Sequence, residues 1–420
     1  MAAPESDSKC IFSLDPYHVS EEFGFFLPDP LDKLPAYYQP WMDVALRVPQ
    51  LMETHELRSH VNKMPLLSSS FLRNHREFRL AHLALSIMTA GYTWQEGEDD
   101  PVEMLPCNLA IPFWEVSQRL GLPPILTHAD VILTNWRKKD PEGPLTIENL
   151  ELLFNFPGGD NSRCFIIVTM LVEMAAVPAL KDIPTVINGV RVGDAEAVTR
   201  ALEVISQSIQ DMTDGLKLMH AHVEPSAFYG TLRIVLSGWK DNCCLPNGLV
   251  YEGVQTEPMQ YSGGSAAQSS VMQCFDELLG VKHEGHGGAF LASMRSYMLP
   301  PHRRLIEDIS QQPSLKSFVQ QQANEELNKA FTHCVTKLLT FRNQHINLVS
   351  RFVIIPAARA RQIRAQSKGQ LISKPPVALE RSGTGGSSFM TFLKTVRDET
   401  KQTLPPATNE ETHQRTERDK

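Results

Sequence analysis

The chain is short of nearly every pattern that announces a chemistry. Its 420 residues include only 7 cysteines, at Cys10, Cys107, Cys164, Cys243, Cys244, Cys274 and Cys334. No C-x-x-C pair and no zinc-type spacing occur among them, which excludes a thiol-redox motif and a structural zinc site. There is no N-x-[ST] sequon, and the polar start MAAPESDSKC lacks an apolar signal-peptide core. Reduced thiols in the cytosol account for these absences most simply. Long apolar runs are missing too. The longest, Phe165–Val177, is interrupted by Thr169 and Glu173; it falls short of the ~20 residues of a membrane span and reads as a buried helix. Positive charge is in the minority: 40 Lys+Arg against 48 Asp+Glu give a net charge of −8. A chain of that balance is a poor binder of phosphate backbones, so nucleic acid is not expected as a partner. Phosphate-loop, nucleophile-elbow and dinucleotide glycine patterns are likewise absent from the sequence.

Period-two alternation is scarce, with TIENLELLF at 146–154 the modest exception. What is present is helical spacing in a chain that is 42% apolar and 21% charged, an ordinary globular balance. Residues Phe71–Ala90 put Leu72, Leu80, Leu83, Ile87 and Ala90 near one face. Ala195–His220 repeats apolar residues at threes and fours, and Leu327–Ile355 does so over about eight turns. The fold class expected is all-α. The 29 prolines and 24 glycines gather around 28–50, 101–124, 141–159 and 373–386, and the turn-rich stretch Pro141–Cys164 marks a domain boundary near residue 155. The expectation is a disordered start at 1–15, a smaller N-terminal domain at 16–155, a larger helical domain at 156–400 and a frayed tail at 401–420.

Several histidine pairs fail as metal sites on spacing alone. His55 and His60 resemble a zincin helix, but five positions turn a helix by about 500°, which points the rings about 140° apart. His220 and His222 fall on different sides of a helix. His283 and His286 sit in KHEGHGG, which reads as a flexible surface loop with solvated rings. His345 differs. It occupies the core stripe Phe331, Val335, Leu338, Phe341, His345, Leu348 and Phe352, where a neutral imidazole serves either as a hydrogen-bonded core residue or as the axial ligand of a haem iron. Arg342, one turn earlier, points to roughly the same side, in reach of a haem propionate.

Two glycine-rich loops and one arginine complete the candidates. In SGGSAAQ at 262–268, Ser265 reads as an N-cap with Gln268 closing a capping box, ahead of a helix ending at Gly280. Its small residues let a flat ligand approach the backbone. The loop SGTGG at 382–386 precedes a further helix from Ser388. In FYGTLR at 228–233, Phe228 and Arg233 do not stack on each other but can both border a cavity, and an arginine in the apolar run LRIVLSGW needs an acidic partner or a ligand carboxylate.

Taken together, LPPILTHADVILTNW, FIIVTMLVE, LRIVLSGWK, LVYEGV, SGGSAAQSSVMQCFDELLG, HINLVSRFVIIPA and GTGGSSFMTFLKTVRD closely resemble the indoleamine 2,3-dioxygenases, in order and spacing, from about Tyr17 to Thr400. The resemblance implies an all-α, two-domain haem b protein, a cytosolic monomer whose larger domain holds the haem while the smaller one covers the distal pocket. It implies insertion of O₂ across the indole C2–C3 bond of L-tryptophan to give N-formylkynurenine. On that pattern His345 is the proximal iron ligand, Arg342 and Asp276 a charged pair on the propionate side, and Gly264 part of the haem site. Phe228 packs on the indole, Arg233 clamps the carboxylate, Phe165 lines the indole pocket, Ser265 and Ala266 border it, and Thr384 belongs to a loop that closes over substrate. Thr169 and His128 depart from the high-affinity pattern, which carries serine and tyrosine there. Both departures resemble the second, low-affinity vertebrate paralogue and imply weak tryptophan binding. Two non-enzymatic readings stand beside this one. LVYEGV at 249–254 fits a loose tyrosine-based motif, so Tyr251 makes SH2-type phosphotyrosine readers possible partners of a signalling scaffold, although Phe113 replaces the family's other candidate tyrosine. A haem-based gas sensor would need His345 but not Arg233.

Overall fold

A computed structural model describes residues 11–366 and 389–405; the GTGG loop with Thr384, and the tail from 406, lie outside the described residues. Helices dominate, as the periodicity predicts. Strands among the described residues are two-residue pieces: β1 (Met104–Leu105), β2 (Arg137–Lys138), β3 (Leu150–Glu151) and β4 (Val250–Tyr251), with β1 parallel to β4 and β2 antiparallel to β3. The alternation in TIENLELLF thus yields only β3.

The first long helix, α1 (His75–Trp94), begins where the Asn74 side chain accepts the Glu77 amide and Glu77 in return accepts the Arg73 amide. The amphipathic face read from the sequence is incomplete: every residue from Arg79 to Trp94 is buried. The reason is tertiary. Helices Gln39–Ala45, Val48–Glu53, Leu57–Lys63 and Cys107–Leu120 surround α1, so no side faces water. Truncating one central side chain such as Leu83, fully buried, would cost about 2–5 kcal/mol. A short helix, α2 (His128–Val131), packs on α1 and opens with a complete capping box: Thr127 as N-cap and Asp130 three residues on.

The C-terminal half is a stack of longer helices: α3 (Gly159–Met174), α4 (Val177–Val192), α5 (Ala195–Lys217), α6 (Ser270–Leu279), α7 (Glu325–Val349) and α8 (Phe389–Gln402). Continued through Val192, the apolar run in α3 is long and apolar enough to cross a membrane, yet 67% of that window is buried within the protein and it breaks at Ala175–Ala176. It is core. Helix α5 packs against α3, α4 and α7, and α8 lies along α7. Caps explain the starts: Asp194 accepts the Ala197 amide before α5, and Asn324 accepts the Leu327 amide before α7. One continuous cluster of buried apolar side chains runs from Phe12 to Ala360 through both halves. Two π-type turns interrupt the helices, at Phe228–Leu232 and Ser350–Ile354, and they touch each other.

Candidate active site

The helices leave a cavity of about 350 Å³ between them. His128 of α2, Phe165 and Thr169 of α3, Phe228, Arg233, the loop residues Gly264, Ser265 and Ala266, Asp276 of α6, and Arg342 and His345 of α7 all line it. Eleven of the residues singled out in the sequence therefore line one space. Thr384 lies outside the described residues.

The wide π turn explains how Phe228 and Arg233 share a wall. The Arg233 amide donates to the Phe228 carbonyl, an i→i+5 bond, whereas five positions of ideal α-helix would turn the two residues about 140° apart. The Phe228 ring stacks on Phe165 at 4.5 Å and 27°, and meets Phe352 of the second π turn edge-on at 6.2 Å. These rings form a continuous aromatic wall. Arg233 is buried, and its guanidinium lies over the rings of Tyr229 (5.3 Å) and Phe389 (5.8 Å). Burial pushes it down to about 10, with Tyr229 and the Glu98 charge offsetting part of the shift; it stays cationic at neutral pH. A buried cation beside an aromatic wall can pair with a carboxylate carried by an aromatic ligand.

His345 faces the cavity and is otherwise enclosed by protein. Burial, with a smaller contribution from the Arg342 charge, pulls it down to about 4, so the imidazole is neutral. Its ring nitrogens make no hydrogen bond among the described residues. A neutral, half-buried imidazole facing a largely apolar cavity fits an iron ligand better than a satisfied core histidine. Arg342 and Asp276, read from the sequence as a charged pair, are paired in the fold. Arg342 Nη2 straddles both oxygens of Asp276 (2.6 and 2.7 Å), while Nη1 donates to the Thr400 hydroxyl of α8. The guanidinium is already occupied, tying α7 to α6 and α8.

His283 is a clear correction. KHEGHGG is no flexible loop: Gly285–Met294 is helical, and the His283 ring is largely buried, with Nε2 3.0 Å from Asp276 Oδ2 and Nδ1 2.5 Å from Glu399 Oε2. Burial works against its proton, but the two carboxylates outweigh that and raise it above the ordinary range. For Asp276, burial alone would raise the carboxyl, yet Arg342 and His283 hold it below its usual range. The capping box at Ser265 is also incomplete. Ser265 accepts the Ala267 amide, but Gln268 accepts the His128 amide (2.9 Å) and donates to the Gly263 carbonyl (2.9 Å). Gln268 therefore joins the N-terminal half to the glycine loop. Gly263 serves the backbone: a Cβ there would lie 2.2 Å from the Leu236 carbonyl oxygen and 2.3 Å from the Gly238 nitrogen, whereas one on Gly264, which borders the cavity, has room.

In the roof, His128 Nε2 lies 3.3 Å from Glu173 Oε1, too poorly aligned for a hydrogen bond, and both residues are buried. The Thr169 hydroxyl donates to the Phe165 carbonyl (2.9 Å), so its proton is not offered to a ligand. Sequence reasoning missed Glu173, Gln268, Phe389 and Phe392 as wall or supporting residues. For the two phenylalanines the signal existed: with Val396 they repeat at helical spacing along α8. Away from the cavity, Tyr251 is fully buried in β4 and its hydroxyl donates to the Pro124 carbonyl at 2.5 Å.

An all-α frame around a largely apolar cavity, with the neutral imidazole of His345 and the buried Arg233 on its walls, suits a helical protein that binds haem and an aromatic ligand. The family profile of the indoleamine 2,3-dioxygenases matches residues 13–403, and the chain belongs to that family; its enzymes are haem-dependent dioxygenases, and haem b is the cofactor the cavity fits. Among similar proteins, the human indoleamine 2,3-dioxygenase 2 is 51% identical over 392 residues, 93% of this chain and 95% of its own. The indoleamine 2,3-dioxygenase 1 of Rattus norvegicus is 45% identical over 394 residues, 93% and 95% of the two chains. A protein named myoglobin from Haliotis diversicolor is 37% identical over 391 residues, 93% and 98%.

Proposed function

We propose that the protein is a cytosolic dioxygenase that converts L-tryptophan to N-formylkynurenine, with weak affinity for tryptophan. Overall, the indole C2–C3 bond breaks and each carbon gains one oxygen atom of O₂. When bound, the haem supplies dioxygen binding and the redox chemistry. His345 holds it through a neutral imidazole, ready to coordinate without releasing a proton. Phe165 and Phe228 offer the indole a face, and Arg233 fixes the carboxylate, so the substrate is oriented at both ends. The apolar lining keeps water from the reacting carbons. The net reaction moves no proton that requires a general base. The observation that carries the reading is the meeting, in one cavity, of an imidazole without a hydrogen-bond partner among the described residues and a buried arginine among aromatic rings.

The weak affinity rests on Thr169, whose extra methyl relative to serine is on a residue that borders the cavity, where overpacking against a bound substrate costs about 1–3 kcal/mol. Free thiols at Cys107, Cys164, Cys243, Cys244, Cys274 and Cys334 support the cytosolic placement. The relative named myoglobin favours a second reading, oxygen binding without turnover; that role has no use for an arginine fixed beside an aromatic wall. Signalling through phosphorylated Tyr251 would first require the β1–β4 pairing to open. The test is reconstitution with haem, reduction, and addition of L-tryptophan and O₂, following N-formylkynurenine absorbance. Turnover by the parent chain, with haem lost in His345→Ala, supports the proposal; haem binding without turnover supports the second reading.

A further inference from the structure

The group His283, Asp276, Glu399, Arg342 and Thr400 lies beside the cavity and has no part in the chemistry proposed above. It joins three elements: Asp276 on α6, Arg342 on α7, and Glu399 and Thr400 on α8. Helix α8 carries Phe389, Phe392 and Val396 into the cavity wall, and Phe389 lies against Arg233. Whatever holds α8 in place therefore holds one side of the pocket and one face of the arginine. Both ring nitrogens of His283 face carboxylate oxygens, at 3.0 Å on Asp276 and 2.5 Å on Glu399. Both contacts are hydrogen bonds only when both nitrogens carry protons; a neutral ring turns a lone pair toward one carboxylate. The Glu284 amide adds a bond to Glu399 Oε1 at 3.0 Å.

We propose that His283 is a positioning residue for the tryptophan site: as an imidazolium it clasps Glu399 to Asp276 and so holds α8, and with it Phe389, against the substrate cavity. The inference deepens the dioxygenase reading and rests on it for the identity of the substrate, but the clasp itself is measurable without turnover. The charged groups that face His283 are Asp276 of α6 and Glu399 of α8, which favour its proton, and Arg342 of α7, which opposes it. The direction of the pH effect follows. A histidine whose proton is favoured in the fold contributes stability that is complete below its unfolded value of about 6.5 and is lost as pH rises through the raised folded value. Docking of α8 thus weakens on the alkaline side.

Hydrogen exchange of the full-length haem-loaded protein, read on peptides spanning Phe389–Gln402 and corrected for intrinsic rates, tests the clasp directly. Corrected exchange of this helix should rise on the order of tenfold between pH 6 and pH 9 while peptides of α5 stay flat. His283→Ala should exchange fast at both pH values, and Glu399→Gln, whose side chain is partly exposed, should do so in part. In the same variants tryptophan KM should rise several-fold with kcat little changed, because Arg233 loses the Phe389 face. Corrected exchange that is flat with pH in the parent chain, or equal in parent and Glu399→Gln at pH 6, overturns the clasp. Absence of tryptophan turnover alongside pH-dependent exchange would overturn the dioxygenase reading instead, and the two failures are therefore distinguishable.

Discussion

Removing the carboxylate of Asp276 is the sharpest way to probe how this site is held. In the folded protein Asp276 is buried and accepts Arg342 Nη2 on both oxygens and His283 Nε2 on one. Asp276→Ala leaves a guanidinium and an imidazolium in a dry site with their shared counter-charge gone. Breaking a buried ion pair from one side costs about 3–5 kcal/mol, far more than the pair contributes relative to apolar residues of the same volume. That is a large part of the roughly 5–15 kcal/mol that keeps a typical protein folded. The loss falls on α7, the helix that carries His345, so haem retention should fall along with stability. Urea unfolding at pH 7, monitored by circular dichroism, gives the stability, and the Soret band after desalting gives retained haem. Asp276→Ala combined with Arg342→Met removes the stranded guanidinium and should recover a clear part of the single-variant loss. A single-variant cost below about 1 kcal/mol, or a double variant as damaging as the sum of its parts, would refute the argument.

Three further outcomes follow from the same geometry. Thr169→Ser, which removes one methyl from the cavity wall, should lower tryptophan KM about fivefold or more in steady-state assays, with kcat little changed; an unchanged KM removes overpacking as the cause of weak binding. Gln268→Ala strands the buried His128 amide and Gly263 carbonyl and should cost about 1–3 kcal/mol in urea unfolding. Buried His302, pulled down to about 3 by desolvation with help from Arg79 and His18, is neutral in the fold and protonated below about 6.5 when unfolded. Stability should therefore be full above pH 6.5 and fall as the pH drops, by up to about 2 kcal/mol at pH 5, and His302→Gln should flatten that slope in thermal melts.

The parts of the site legible in the sequence were those with local signatures. His345 showed because its neighbours in α7 repeat at helical spacing over many turns. The π turn that brings Phe228 and Arg233 to one wall has no side-chain signature, since it is a property of backbone bonding. His283 was misread because local composition describes only neighbours in the chain; the carboxylate that buries it, Glu399, is 116 residues away. Gln268 offered a plausible local cap, yet its partner His128 stands 140 residues earlier and won the competition. The apolar face read for α1 was real but partial, because burial on every side erases the polar half that makes such a face visible.

The central claim is that one cavity holds haem on His345 and tryptophan on Arg233. Its most direct measurement is N-formylkynurenine formation by the reduced, haem-reconstituted chain, run side by side with Arg233→Leu of equal Soret absorbance. The account predicts product from the parent chain and a fall in kcat/KM on the order of 30-fold or more in the variant, the kinetic equivalent of about 2–5 kcal/mol for a buried charge contact. Equal kcat/KM in the two proteins, or no product from a fully haem-loaded parent, would contradict it.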